Sequence, residues 1–171
     1  GSPDFRILHI SDMHMIPGQQ KKIDFMHSLA ALEPDLVMNT GDNLSHVDGM
    51  GPLLEALDPL MDFPGVFVPG SNCYFAPVFK NPARYLWQPR TPQMIEEGSR
   101  VALPIERMHD AFESRGWTGL INRYDTLNLK GLRLEFSGVD DPHLRYDEHP
   151  GFAPGAFDEG EEPSIRIGVA H

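Results

Sequence analysis

The sequence predicts an α/β fold built from parallel βαβ units, and three observations carry that expectation. Short apolar runs alternate with segments of helical periodicity from Phe5 to Val68. Each apolar run empties into a polar cluster: Ser11-Asp12, Thr40-Gly41-Asp42, then Gly70-Ser71-Asn72. The 16 Gly and 16 Pro concentrate between the runs, which suits short elements joined by structured loops.

Phe5 to Ile10 reads as a buried strand feeding a loop. Lys21 to Glu33 follows, with Ile23, Met26, Leu29, Ala30 and Leu32 at helical spacing, and Pro34 stops it. Asp35 to Asn39 is a second buried strand. Met50, Leu53, Leu54, Leu57, Leu60 and Met61 mark a second amphipathic helix, and Val66 to Val68 a third strand after Pro64-Gly65. A Pro- and aromatic-rich insertion at about 76–100, with Tyr85 and Trp87, reads as a structured cover over one edge of the site. Pro104 to Arg115 returns to helix. Tyr124 to Leu129 and Leu132 to Ser137 flank Lys130-Gly131 as a hairpin. The acidic stretch from Val139 to Pro163 reads as loop, and Ile165 to Val169 as a last strand before Ala170-His171.

At 171 residues, with 40% hydrophobic and 23% charged residues, the chain is long enough for one domain, 1–171, with a sizeable core. A net charge of −11 argues against nucleic acid as a partner, since no basic footprint is present, and against docking on anionic lipid. It does not exclude a phosphorylated substrate, because bound divalent cations invert the local field. The single cysteine, Cys73, excludes an intrachain disulfide framework and a cysteine-rich zinc site. No apolar stretch is long enough to span a membrane. Gly1-Ser2 has the look of a tag scar, so location is left open between cytoplasmic and membrane-associated through a segment outside this sequence. Oligomeric state is equally open.

In open α/β sheets ligands gather at the carboxyl ends of strands, which brings Asp12, His14, Asp42 and Asn72 together. Asp12 and His14, two apart on an extended segment, would point to one side and reach one ion. Asp42 follows Gly41, which permits a tight turn, and its two oxygens can bridge two ions. Asn72 can ligate through its amide oxygen without adding charge. Mixed N/O donors suit Mn, Fe or Zn better than Ca or Mg. Two such ions would polarise a phosphoryl group and activate water for in-line attack on a phosphoester.

Asp12-x-His14, Gly41-Asp42-Asn43 and Gly70-Ser71-Asn72, in that order, resemble the first three motifs of the calcineurin-like metallophosphoesterases. Gly168-Val169-Ala170-His171 resembles the fourth. The resemblance implies a layered α/β/β/α sandwich and a phosphomonoesterase or phosphodiesterase using two divalent metals. It further implies that Asp12 and His14 hold one metal, Asp42 bridges, and Asn72 with His171 holds the other. Two departures stand out. Ser71 and Cys73 replace the family's usual Gly-Asn-His pattern, so the histidine that assists the leaving group has no counterpart. The variant Gly-Ser-Asn resembles a bacterial, membrane-associated branch, which implies a small phosphorylated or lipid, cell-envelope substrate. The final Gly-His-x-His motif is absent, so the chain is expected to be the front portion of a domain truncated at its C-terminus.

Around this set, His46 is a candidate for orienting a ligand or touching phosphate, with a solvated loop histidine as the equal alternative. Asn43 and Cys73 are candidates for substrate contact, although a small loop-filling residue accounts for Cys73 more simply than a nucleophile does. Asp140, Asp141 and His143 could line the cleft, but a turn ahead of Pro142 is the simpler account. His9 reads as a satisfied core residue, and the charge run 158–162 as a solvated loop. The competing functions are a scaffold that has lost turnover and a half-protein completed by another chain. A scaffold should have lost Asp12, His14 or Asp42, and none is lost.

Overall fold

Strands β1 (Ile7–Ile10), β2 (Leu36–Asn39) and β3 (Gly65–Phe67) pair in parallel in that order, and the two-residue strand β4 (Thr118–Gly119) extends the sheet beyond β3. This is a computed structural model, and it describes residues 4–74, 102–142, 144–152 and 164–171. The insertion at 76–100, His143 and the run 158–162 lie outside the described residues. The strands alternate their side chains between two apolar layers. Val37 and Phe67 face the helices, whereas Leu36, Val66 and Val68 face a second sheet. A strand buried on both faces must read as a continuous apolar run, as Leu36-Val37 and Val66-Phe67-Val68 do.

Helices α1 (Gln20–Ser28), α2 (Met50–Leu57) and α4 (Ile105–Ser114) cover the first face through Ile23 and Met26, Leu53 and Leu57, and Met108 and Phe112. The short helix α3 (Ser71–Tyr74) follows β3. The periodic run Lys21 to Glu33 is thus one helix only as far as Ser28. A 3₁₀ turn, Leu29–Leu32, tightens its end, and Glu33 at φ +47° closes it ahead of Pro34. Phe67, Phe112 and Trp117 meet ring to ring at 5.2 and 5.3 Å, and the indole N–H of Trp117 donates to the Phe63 carbonyl at 3.1 Å.

The second sheet is β5 (Arg123–Leu129), β6 (Leu132–Gly138) and β7 (Ser164–Val169). β5 and β6 form the expected hairpin, with Lys130 and Gly131 both at positive φ (49° and 77°), as a two-residue type I′ turn requires. β7 runs parallel to β6. Leu134, Phe136 and Val169 pack against Leu36, Val66 and Val68 to make the core between the sheets. The described elements therefore build three layers, α/β/β, of a mixed α/β sandwich. A helical layer beyond the second sheet is not among the described elements.

Two expectations for β1 need correction. It is an edge strand among the described residues, with Ile7 and His9 exposed, so it is not buried throughout and His9 is not a core residue. The His9 ring is nevertheless satisfied, with Nε2 2.9 Å from the Thr40 hydroxyl.

Candidate metal centre

The loops leaving β1 and β2 are stitched together by main-chain bonds beyond the strands. Asp12 N–H donates to the Gly41 carbonyl (3.0 Å), His14 N–H to Asp42 (2.9 Å) and Met15 N–H to Asn43 (2.8 Å). Asn39 braces the turn from inside: its Oδ1 accepts the Gly41 N–H at 3.0 Å, and its amide donates to Asn43 Oδ1 at 3.0 Å. Asp12, His14 and Asp42 all adopt positive φ, at 55°, 44° and 51°. The segment carrying Asp12 and His14 is therefore a left-handed loop and not the extended stretch its spacing predicts. Convergence arises from the paired loops instead.

The result is one cluster. Donor atoms of Asp12, His14 and Asp42 all lie within 4.8 Å of one another. His14 Nε2 is 3.6 Å from Asp12 Oδ1 and 3.8 Å from Asp42 Oδ2. His171 also approaches Asp42, with Nε2 3.4 Å from the same Oδ2. These separations exceed the usual hydrogen-bond range, yet suit donors that converge on a shared ion at about 2.0–2.2 Å each.

Both imidazoles are held by their other nitrogen. His171 Nδ1 lies 2.8 Å from the Thr40 carbonyl, which can only accept, so Nδ1 donates there and Nε2 is the nitrogen turned toward Asp42. His14 Nδ1 meets the Ser45 hydroxyl at 3.0 Å, and Ser11 Oγ donates to Asp12 Oδ2 at 2.6 Å. Two carboxylates and two oriented imidazoles make a mixed N/O donor set that fits a divalent transition metal.

The third loop is pressed onto Asp42. A Cβ at Gly70 would lie 2.3 Å from Asp42 Oδ1 and 2.9 Å from His171 Cδ2, and one at Gly41 would lie 2.4 Å from the Gly70 nitrogen. Only glycines allow this approach. Asn72 lies in α3, just past Gly70, but its side chain is outside the described residues.

Other candidates are placed differently. Asn43 and Cys73, expected at the substrate, are 1% and 0% exposed and face each other, with the Asn43 N–H directed at Cys73 Sγ at 3.5 Å. Their packing joins the second loop to the third. Burial pushes the Cys73 thiol above its ordinary pKa, which keeps it protonated. His46 caps a 3₁₀ turn, Val47–Gly49, its Nδ1 accepting the Asp48 N–H at 3.1 Å, and it is half exposed. Asp140 and Asp141 are buried at the exit of β6. The sequence reading missed Ser45 and Thr40 as the groups that orient the two histidines. A hydroxyl three residues beyond Asp42 was the one available signal.

No curated protein matches the chain. The family model of the calcineurin-like phosphoesterases matches residues 5–153, a span that includes Asp12, His14, Asp42 and the third loop. With that match over most of the sequence, and the carboxylate–imidazole cluster at consecutive strand ends, the chain belongs to the calcineurin-like phosphoesterases, a family of metal-dependent hydrolases of phosphoesters.

Proposed function

We propose that the protein hydrolyses a phosphomonoester or phosphodiester at a centre holding two divalent ions, with Mn, Fe or Zn as the metals. The observation that carries this reading is Asp42 Oδ2, which lies near both His14 Nε2 and His171 Nε2, at 3.8 and 3.4 Å. A carboxylate oxygen within reach of two imidazole nitrogens could serve two ions at once. Asp12 and His14 would hold one ion, Asp42 would bridge, and His171 with Asn72 would hold the other. When bound, such ions supply Lewis acidity to a phosphoryl oxygen and acidify water near neutral pH. The chain's own part is to fix the donors: Thr40 and Ser45 hold the rings, and the Gly41 and Gly70 backbones hold the bridge. Small phosphorylated molecules and lipid or cell-envelope phosphoesters are the substrate classes we favour.

The test is metal content together with hydrolysis of an aryl phosphate and a bis-aryl phosphate. Wild type should take up manganese and cleave at least one of them, and the preferred ester separates monoesterase from diesterase. Asp42→Ala should lose the metal and at least 100-fold in rate, about 3 kcal/mol of transition-state stabilisation. Equal metal content and equal rate in the two proteins would sink the reading.

A further inference from the structure

Tyr74 and Asp140 come from different layers of the sandwich and meet where α3 faces the exit of β6. Tyr74 ends α3, and its hydroxyl donates to Asp140, 2.7 Å from each carboxylate oxygen. Asp140 leaves β6 and is only 7% exposed. Its N–H donates to Asn122 Oδ1 at 2.8 Å, and its Oδ1 also accepts the Asp141 N–H at 2.7 Å. A hydroxyl bonded to a desolvated carboxylate is among the stronger hydrogen bonds a protein makes.

Each partner is tied onward to one side of the metal centre. On the Tyr74 side, Cys73 receives the Asn43 N–H, and Gly70 abuts the Asp42 carboxylate. On the Asp140 side, the preceding Val139 N–H donates to the Val169 carbonyl at 3.1 Å, two residues before His171. The Tyr74–Asp140 bond therefore closes a circuit. It runs from Asp42 through α3 to β6, across to β7, and back through His171 to Asp42 over 3.4 Å.

We propose that Tyr74 and Asp140 are a positioning pair that sets the separation of Asp42 and His171 and so governs ion binding at the position those two share. The inference rests on the metal reading above. Neither side chain is assigned to the reaction itself; each acts through the loop it holds.

The experiment is calorimetric titration of the metal-free protein with manganese alone. The step removed by His171→Ala identifies the ion in question. Tyr74→Phe keeps the ring and should weaken that step at least about tenfold, the usual effect of losing a group that supports a metal ligand. The remaining step should stay within about twofold of wild type. Asp140→Asn keeps an acceptor oxygen for both donors and should weaken the step less than Tyr74→Phe does, and Tyr74→Phe/Asp140→Asn should be no weaker than Tyr74→Phe alone, because the Tyr74 bond is already gone and the Asp141 N–H keeps its acceptor. Trp117→Phe, which loses the bond to Phe63 at the opposite end of the strands, controls for general destabilisation and should leave both steps unchanged. Unaltered binding in Tyr74→Phe, or equal weakening of both steps, overturns the pair while leaving the metal reading intact. Wild type with no manganese step removed by His171→Ala overturns the metal reading, and the pair with it.

Discussion

Asp12, His14 and Asp42 sit in the left-handed region, which costs about 1–3 kcal/mol for a residue with a Cβ. Main-chain bonds between the two loops and the close seat of Gly70 hold them there. The Gly70 contact makes a sharp prediction. Gly70→Ala would place a methyl against Asp42 Oδ1 and His171, so the loop must shift, at about 1–3 kcal/mol of stability. The chain should still fold by circular dichroism but lose its manganese uptake, and retained uptake would show that the loops are not so tightly coupled. His109, on α4, offers a pH test. Its Nε2 is buried with no hydrogen-bond partner among the described residues, and its ring lies 5.2 Å from Phe67. Burial holds its pKa below the usual histidine value, against the opposing pull of Glu113, Asp140, Asp110 and Glu106. A lowered folded pKa means that its contribution is intact above about pH 6.5 and is lost as pH falls through the folded value. Urea unfolding should therefore find wild type losing more stability between pH 7.5 and 5.5 than His109→Leu does; parallel losses would refute it. The clustering of Asp12, His14 and Asp42 was legible because each leaves the carboxyl end of a parallel strand. Thr40, Ser45 and the buried seat of Asn43 were not, since their roles depend on which loop faces them.

At the scale of elements, the hairpin was readable from its ends. Apolar-rich stretches flank Lys130-Gly131, and the turn that joins strands with a right-handed twist needs positive φ at both central residues. Gly131→Val should cost about 1–2 kcal/mol, measured as a shift in denaturation midpoint, because a β-branched residue resists the left-handed region. Manganese uptake should survive, since the turn lies at the far end of β6 from Asp140. A change in metal affinity would mean that the second sheet transmits strain along its length. The βαβ units were likewise legible, because Leu36 and Val37, or Val66 and Phe67, must be apolar to serve cores on opposite faces. Two elements escaped. β4 is two residues long, too short for any period, and is defined by its pairing with Val66 and Phe67. α3 was read as loop, yet the chain coils there as it leaves Gly70. The exposed face of β1 was misread for a related reason: an apolar run shows that a strand can be buried, not that a neighbour covers it.

For the molecule as a whole, the metal-free centre is a concentration of like donors in a chain of net charge −11. Asp12 and Asp42 lie close together there, with the His14 and His171 rings turned toward them. A ligand that binds the folded chain and not the unfolded one adds RT ln(1 + [L]/Kd), about 2.7 kcal/mol at 100 times Kd. For a domain of this size that corresponds to a rise in Tm of roughly 5–10 °C. Adding manganese to metal-free protein should produce such a rise, and a chelator should reverse it. Screening of the overall charge is a rival cause, and sodium chloride at matched ionic strength isolates it, because screening acts on all exposed carboxylates alike. Asp42→Ala separates the two more strictly. It removes one negative charge, which should slightly raise the Tm of the metal-free protein if repulsion dominates, while abolishing the manganese response if Asp42 bridges. A variant that kept the full manganese shift would place the stabilising ion elsewhere on the acidic surface, and the convergence of Asp12, His14, Asp42 and His171 would then need another explanation.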